Sequence, residues 1–278
     1  MSQLIMPDGE PLDLQVLGQG RPVIFLHGWT SGPHIWKPFL EPISDDHLCV
    51  CWTARGHHHR PLHTETPVSL GQLVKDLHFL IHTLGLARPV LVGHSMGALL
   101  AWRYIQTYGD ADLRALVIVD QSPKLITDLY WPYGIYGDFP KARSDSFLHE
   151  LQEDFPEAVL RLAARGLNSK IRQAYEHNSS RIQDLRKYLR QLYAPGLIRL
   201  WQDVVSSDFR DIQSQIQVPV LLQYGARSQF YPLGVTEWLM EQIPQAELVI
   251  YPEADHSPQL TATDAFLEDL QAFLAEVH

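Results

Sequence analysis

The stretch 90–104, VLVGHSMGALLAWRY, restricts the possible folds of this chain more than any other. A strand-length apolar run, VLVG, leads directly into Gly93-His94-Ser95-Met96-Gly97, and the residues after Ser95, MGALLAWRYIQTY, read as a helix. The pattern G-x-S-x-G is common by chance, but between a strand and a helix it specifies a sharp turn. The glycines permit that turn and leave room for neighbouring backbone, and the turn lifts the serine hydroxyl out. The helix N-terminus behind Ser95 adds partial positive charge at the same place.

The rest of the chain repeats this alternation. Apolar runs at 23–26 (VIFL), 48–52 (LCVCW), 116–119 (LVIV), 220–224 (VLLQY) and 248–251 (LVIY) have strand length. Over 69–86, Leu70, Leu73, Val74, Leu77, Leu80, Ile81 and Leu84 recur at helical spacing, and Gly85 is placed to end that helix. Ala265, Phe266, Leu270, Phe273 and Leu274 mark a final helix over 262–277. Strands alternating with helices predict an α/β fold with a mostly parallel sheet. The gap between Asp120 and Val220 holds no good strand; it is aromatic early, YWPYGIYGDF at 130–139, then helical and basic. The predicted organisation is a core in two parts, 1–121 and 205–278, interrupted by a helical insertion over 122–204.

Bulk properties narrow the class. A formal charge of −10 argues against nucleic-acid binding. No apolar run reaches the 18 or so residues of a membrane span, and MSQLIMPDGE has no basic-then-apolar leader. Cys49 and Cys51 would share one face of a strand, as two small core residues in a reducing compartment rather than a disulfide. The sequon Asn178-Ser179-Ser180 is then idle, and a cytoplasmic address is expected.

A serine hydroxyl is a poor nucleophile until a base takes its proton. His256, in EADHSP after the last strand run, is the best-placed base. Together with the strand-then-His27-Gly28-Trp29 turn, the Arg55-Gly56-His57 loop and the 93–97 turn, it resembles the α/β-hydrolase fold superfamily over nearly the full length. The likeness is to its serine esterase and haloperoxidase-like branch. The resemblance implies a mostly parallel sheet flanked by helices, with a helical lid inserted after the sixth strand. It implies Ser95 as nucleophile, His256 as base, and an oxyanion hole from the backbone N–H groups of Trp29 and Met96. Each such donor is worth about 3 kcal/mol. Haloalkane dehalogenase and epoxide hydrolase chemistry needs an aspartate where Ser95 stands, which excludes those activities.

The acid departs from the family pattern. In YGARSQFYP, residues 224–232, relatives hold an aspartate three residues after the glycine, and here the residue is Ser228. Asp120, in LVIVDQSPK, ends another strand run, where dehalogenase-like members carry their acid. In the family's sheet that strand lies between those feeding Ser95 and Ser228, so Asp120 is the expected partner of His256. A turn-capping Asp120, Asp255 as the acid, a water-bridged Ser228, and no acid at all are the other readings. Thr53, where relatives often have an aspartate before x-Arg-Gly-His, is expected to cost no chemistry. His57, His58, His59 and His63 lack the spacing of a zinc motif, and no metal is expected.

Over 161–199, nine Lys/Arg stand against two acids, Glu176 and Asp184, while the rest of the chain holds 13 basic and 30 acidic residues. The segment is either a solvated helix face or a surface for something anionic: a carboxylate, a phosphopantetheine-linked acyl group or an acidic carrier protein. The layout also resembles the pimeloyl-carrier methyl esterases of biotin synthesis, which use a basic lid this way. Trp131, Tyr133 and Tyr136, flanked by Tyr130 and Phe139, would line an apolar substrate pocket or form the lid's own small core. These features point to a cofactor-independent serine hydrolase that cleaves carboxylic esters, thioesters or lactones through an acyl-enzyme. Its partner would be a small-molecule ester, anionic or carrier-linked. Perhydrolysis, C–C bond hydrolysis or lyase chemistry is the rival on the same scaffold. A ligand-binding protein with weak or no turnover is the rival of another class, favoured by Ser228 alone.

Overall fold

The computed structural model describes residues 2–59 and 61–277. Its strands are β1 (Ser2–Ile5), β2 (Pro11–Leu17), β3 (Arg21–Leu26), β4 (His47–Trp52), β5 (Val90–His94), β6 (Ala115–Val119), β7 (Val220–Gly225) and β8 (Ala246–Tyr251). They form one sheet in the order β1-β2-β4-β3-β5-β6-β7-β8. β1 pairs antiparallel with β2, and β2 antiparallel with β4; every other pairing is parallel. All five residues of β5 and all five of β6 are buried. A parallel sheet covered on both faces needs apolar side chains on both, so its strands read as unbroken apolar runs.

The sequence pattern missed β1 and β2. SQLI and PLDLQVL mix polar and apolar residues, and β1 is mostly exposed. β1 is the edge strand and β2 the antiparallel strand beside it; antiparallel strands can keep one side in water and need no apolar run to form.

Among the described residues, eleven α-helices accompany the sheet: α1 (Lys37–Ser44), α2 (Leu70–Thr83), α3 (Met96–Tyr108), α4 (Lys141–Glu153), α5 (Phe155–Ala164), α6 (Ser169–Glu176), α7 (Ser180–Leu189), α8 (Ala194–Ser206), α9 (Gly234–Gln242), α10 (Pro258–Thr261) and α11 (Thr263–Glu276). α2 begins where the sequence pattern begins, with the Ser69 hydroxyl accepting from the Gln72 N–H at 3.1 Å. Gly85 stands just past its end with φ +62°. The apolar stripes of α2 and α3 pack on one face of the sheet, and those of α1 and α11 on the other. Cys49 and Cys51 both join the second face as buried free thiols, and burial pushes the Cys49 thiol up to about 12.

Five helices, α4 to α8, separate β6 from β7. The two ends of that segment meet at a neck, where Lys124 bridges to Asp208 and the Phe209 N–H donates to the Pro123 carbonyl at 2.9 Å. No helix among the described residues is long and apolar enough to cross a membrane.

Candidate active site

Ser95 stands between β5 and α3 with φ 54° and ψ −121°. The glycines around it are required by close approach. A Cβ on Gly97 would lie 2.2 Å from the Leu26 carbonyl oxygen, and one on Gly93 would lie 2.5 Å from the Gly97 oxygen. Gly28 brings the His27-Gly28-Trp29 turn against the same point, since its Cβ would lie 3.2 Å from the Cβ of Ser95. Thr30 (φ 59°), Ser95 (φ 54°) and Asp120 (φ 44°) all take the left-handed backbone, each just beyond the carboxyl end of β3, β5 or β6. Such strain persists only where the surrounding packing holds it, and three of the six non-glycine residues with positive φ among the described residues stand along this edge of the sheet.

Met96 is the first residue of α3, where an N–H has no carbonyl one turn back to donate to. Trp29 follows Gly28 on the opposing turn. Its indole N–H donates to the Leu197 carbonyl at 3.0 Å, and its ring packs on Trp201 (4.7 Å) and edge-on to Phe155 (5.9 Å). The turn is thereby fastened to α5 and α8. From within, His27 holds it: Nδ1–H donates to the Gly28 carbonyl at 2.9 Å, and Nε2 accepts from the Ala54 N–H at 3.0 Å. Burial pushes the His27 imidazole down to about 4, so it stays neutral in that tautomer.

Asp120 and His256 meet although 136 residues separate them. Nδ1 of His256 donates to Oδ1 of Asp120 at 2.8 Å, and Asp120 is fully buried. The other oxygen, Oδ2, accepts from the Gly225 N–H at 2.9 Å. Ser228 is also there, its hydroxyl donating to Oδ1 at 2.7 Å. The His256 main chain is anchored on both sides. Its N–H donates to Gln229 Oε1 (3.1 Å), and its carbonyl accepts from Nε2 of His94 (2.9 Å). Burial, and then the neighbouring His256, push the His94 imidazole down to about 3, so His94 is a neutral donor. Phe230 meets the His256 ring edge-on at 4.6 Å. Asp255 turns away, accepting from the Ser257 N–H at 2.8 Å and the Thr261 hydroxyl at 3.4 Å.

Ser95, Met96, Trp29 and His256 line one cavity of about 770 Å³. Its floor is the sheet edge, and its roof comes from α5 to α8 through Leu160, Leu162, Ile182, Tyr188 and Trp201. Trp131, Tyr133 and Tyr136 do not line it. Trp131 is buried against Trp238 (5.0 Å) and Tyr133 (5.3 Å), with Arg210 over its ring and its indole N–H on the Lys124 carbonyl. Tyr136 lies one layer behind, its N–H donating to the Phe230 carbonyl at 2.6 Å and its hydroxyl to the Leu162 carbonyl. Trp131, Tyr133, Tyr136 and Phe139 thus belong to a core at the root of the inserted segment, Tyr130 is exposed, and Phe230, from the β7 side, faces the cavity. Gln229, Phe230 and His94 were not singled out from the sequence; only the odd Ser228 beside two of them hinted at that loop.

Most of the basic residues over 161–199 are engaged. Arg161 and Arg165 pair with Glu150, Arg186 with Glu157, Lys187 with Asp184, and Lys170 reaches Glu253 at 3.9 Å. Lys170 and Arg181 line the cavity, as does Arg227, itself paired with Glu253 at 2.5 Å. The histidine run disperses. His57 packs edge-on to His27 at 4.8 Å, His58 lies 3.3 Å from the Asp13 carboxylate, and His59 lies against Tyr188.

The family model described as the alpha/beta hydrolase fold matches residues 21–263. The chain is 27% identical over 271 residues to a pimeloyl-[acyl-carrier protein] methyl ester esterase from Chromobacterium violaceum, covering 95% of this chain and 98% of that protein. It is 28% identical over 277 residues to a non-heme chloroperoxidase from Kitasatospora aureofaciens, covering 96% and 97%. Among solved structures, an esterase from Exiguobacterium antarcticum superposes with a TM-score of 0.83 at 20% identity, covering 99% of each chain.

Proposed function

The chain belongs to the alpha/beta hydrolase fold family, and from that premise we propose that it is a cofactor-independent serine hydrolase of carboxylic esters. One observation carries the reading: a buried Asp120 accepts from Nδ1 of His256 at 2.8 Å, while His256 and Ser95 share one cavity wall. With its Nδ1 proton held by Asp120, the imidazole keeps Nε2 free as the base nitrogen. Ser95 Oγ attacks the ester carbonyl as its proton passes to Nε2, and the oxyanion is received by the N–H groups of Trp29 and Met96. Collapse expels the alcohol, which takes the proton from His256. Water, activated by the same nitrogen, then attacks the acyl-serine and releases the acid and the free hydroxyl. The segment 122–204 acts as the lid of this site.

The substrate class is narrowed by the cavity's aliphatic roof, which suits an acyl chain; of the lining cations, Lys170 and Arg227 are answered by Glu253 in the same lining, and Arg181 suits an anionic or carrier-linked group. The relative from Chromobacterium violaceum, named for an acyl-carrier-protein methyl ester, supports the same reading. A second reading, perhydrolysis on the same serine, is favoured by the chloroperoxidase relative. In it hydrogen peroxide replaces water as the second nucleophile, and a peroxyacid leaves.

The test is covalent labelling with a fluorophosphonate alongside hydrolysis of p-nitrophenyl acetate. Wild type is expected to label at one site and show a burst, and Ser95→Ala to do neither. Equal labelling or turnover in Ser95→Ala would remove the nucleophile from the scheme. Peroxyacid formation in the presence of hydrogen peroxide separates the two readings.

A further inference from the structure

Ser228 occupies the place where relatives carry the acid, yet its surroundings give it a job of its own. Its Oγ accepts from the N–H groups of Phe230 at 3.3 Å and Tyr231 at 3.4 Å. With the oxygen's acceptor capacity taken, the hydroxyl proton has one place to go, Oδ1 of Asp120 at 2.7 Å. That is the same oxygen that accepts from His256, and Gly225 holds the other. We infer that Ser228 is a positioning residue for the acid–base pair, locking the plane of the Asp120 carboxylate and sharing the charge of Oδ1 with His256. The inference rests on the reading of Ser95, His256 and Asp120 proposed above.

The choice of residue follows from where the carboxylate sits. With the acid at the end of β6, an aspartate at 228 would set a second negative charge against Asp120, and such pairs resist double ionisation. A small neutral donor fills the place, satisfies two loop N–H groups and turns toward Oδ1. The other titratable groups facing the pair are neutral or turned away. His94, from β5, is held neutral by burial, and the buried phenols of Tyr224 and Tyr231, from β7 and its loop, are pushed well up. Asp255, beside His256, spends its carboxylate on Ser257 and Thr261.

Ser228→Ala and Ser228→Thr, assayed beside Asp120→Asn on p-nitrophenyl acetate across pH, test it. Loss of the hydroxyl in Ser228→Ala leaves Oδ1 to His256 alone. The acid limb of kcat/KM is then expected to move to higher pH, and kcat to fall about tenfold with KM within about twofold. Ser228→Thr, which keeps the donor, should restore both. A Ser228→Ala enzyme with unchanged kcat and acid limb, or a Ser228→Thr enzyme no better than Ser228→Ala, overturns the inference. If Asp120→Asn collapses while Ser228→Ala is silent, only the role of Ser228 is lost. If Asp120→Asn is itself silent, the assignment of the acid falls, and this inference with it.

Discussion

Replacing Asp120 by asparagine puts the proposed mechanism under the sharpest strain, because the site leaves the amide no good orientation. The native carboxylate accepts from His256 and Ser228 on Oδ1 and from the Gly225 N–H on Oδ2, all in a fully buried site. An amide has one acceptor and one donor end. If its oxygen faces His256, its NH2 faces the Gly225 N–H, and two donors are left opposed without water, a penalty of about 1–3 kcal/mol. If its NH2 faces His256 instead, Gly225 is satisfied, but the Ser228 hydroxyl loses its acceptor and Nδ1 must become one. The ring proton then sits on Nε2, the nitrogen that should receive the proton of Ser95. The second arrangement preserves the fold and disables the base. The expected loss in kcat/KM at neutral pH is about ten-thousand-fold, or about 5 kcal/mol. Thermal unfolding should move by only a few degrees. Burst and steady-state hydrolysis of p-nitrophenyl acetate read the first quantity, and a calorimetric melt the second. An Asp120→Asn enzyme within tenfold of wild type, beside an inactive Ser95→Ala, would refute the argument.

Two further outcomes follow from the supports of the site. His27 and His94 are buried neutral, with pKa values pushed down to about 4 and about 3, whereas the unfolded chain takes up those protons near 6.5. Their contribution to stability is therefore complete above about pH 6.5 and is lost as pH falls toward the folded values, about 2 to 3 kcal/mol each by about pH 4.5. Urea unfolding at pH 7 and pH 5 should show that decline, and His94→Gln should make it shallower; an equal slope in the variant would contradict it. Gly97→Ala would press a methyl to 2.2 Å from the Leu26 carbonyl oxygen, a backbone atom held in β3 by pairing with β5. A destabilisation of about 3 kcal/mol in urea unfolding is expected, and an unaffected midpoint would mean the turn has room for the methyl.

Local order in this protein was readable from the chain because it arises between chain neighbours. The run into Gly93, the turn at Ser95 and the helix from Met96 follow from an apolar period of two faces, two glycines and a helical stripe, all within 15 or so residues of one another. The helices α2 and α11 were legible for the same reason. β1 and β2 were not, since antiparallel strands with one side toward water carry no unbroken apolar signal. Nor did the chain say which aromatics would face the cavity. Trp131 and Tyr136 carry the same chemistry as Phe230, and only packing sent the first two inward and left Phe230 beside His256. The sequence by itself determined that a serine turn, a loop histidine and a strand-end carboxylate exist. The order of parallel strands decided that β6 lies between β5 and β7, so that Asp120, Ser228 and His256 converge across gaps of 108 and 136 residues. Hydrogen bonds reach about 3 Å and take no account of chain distance, so the relation of Ser228 to its acid existed only once the sheet had closed around it.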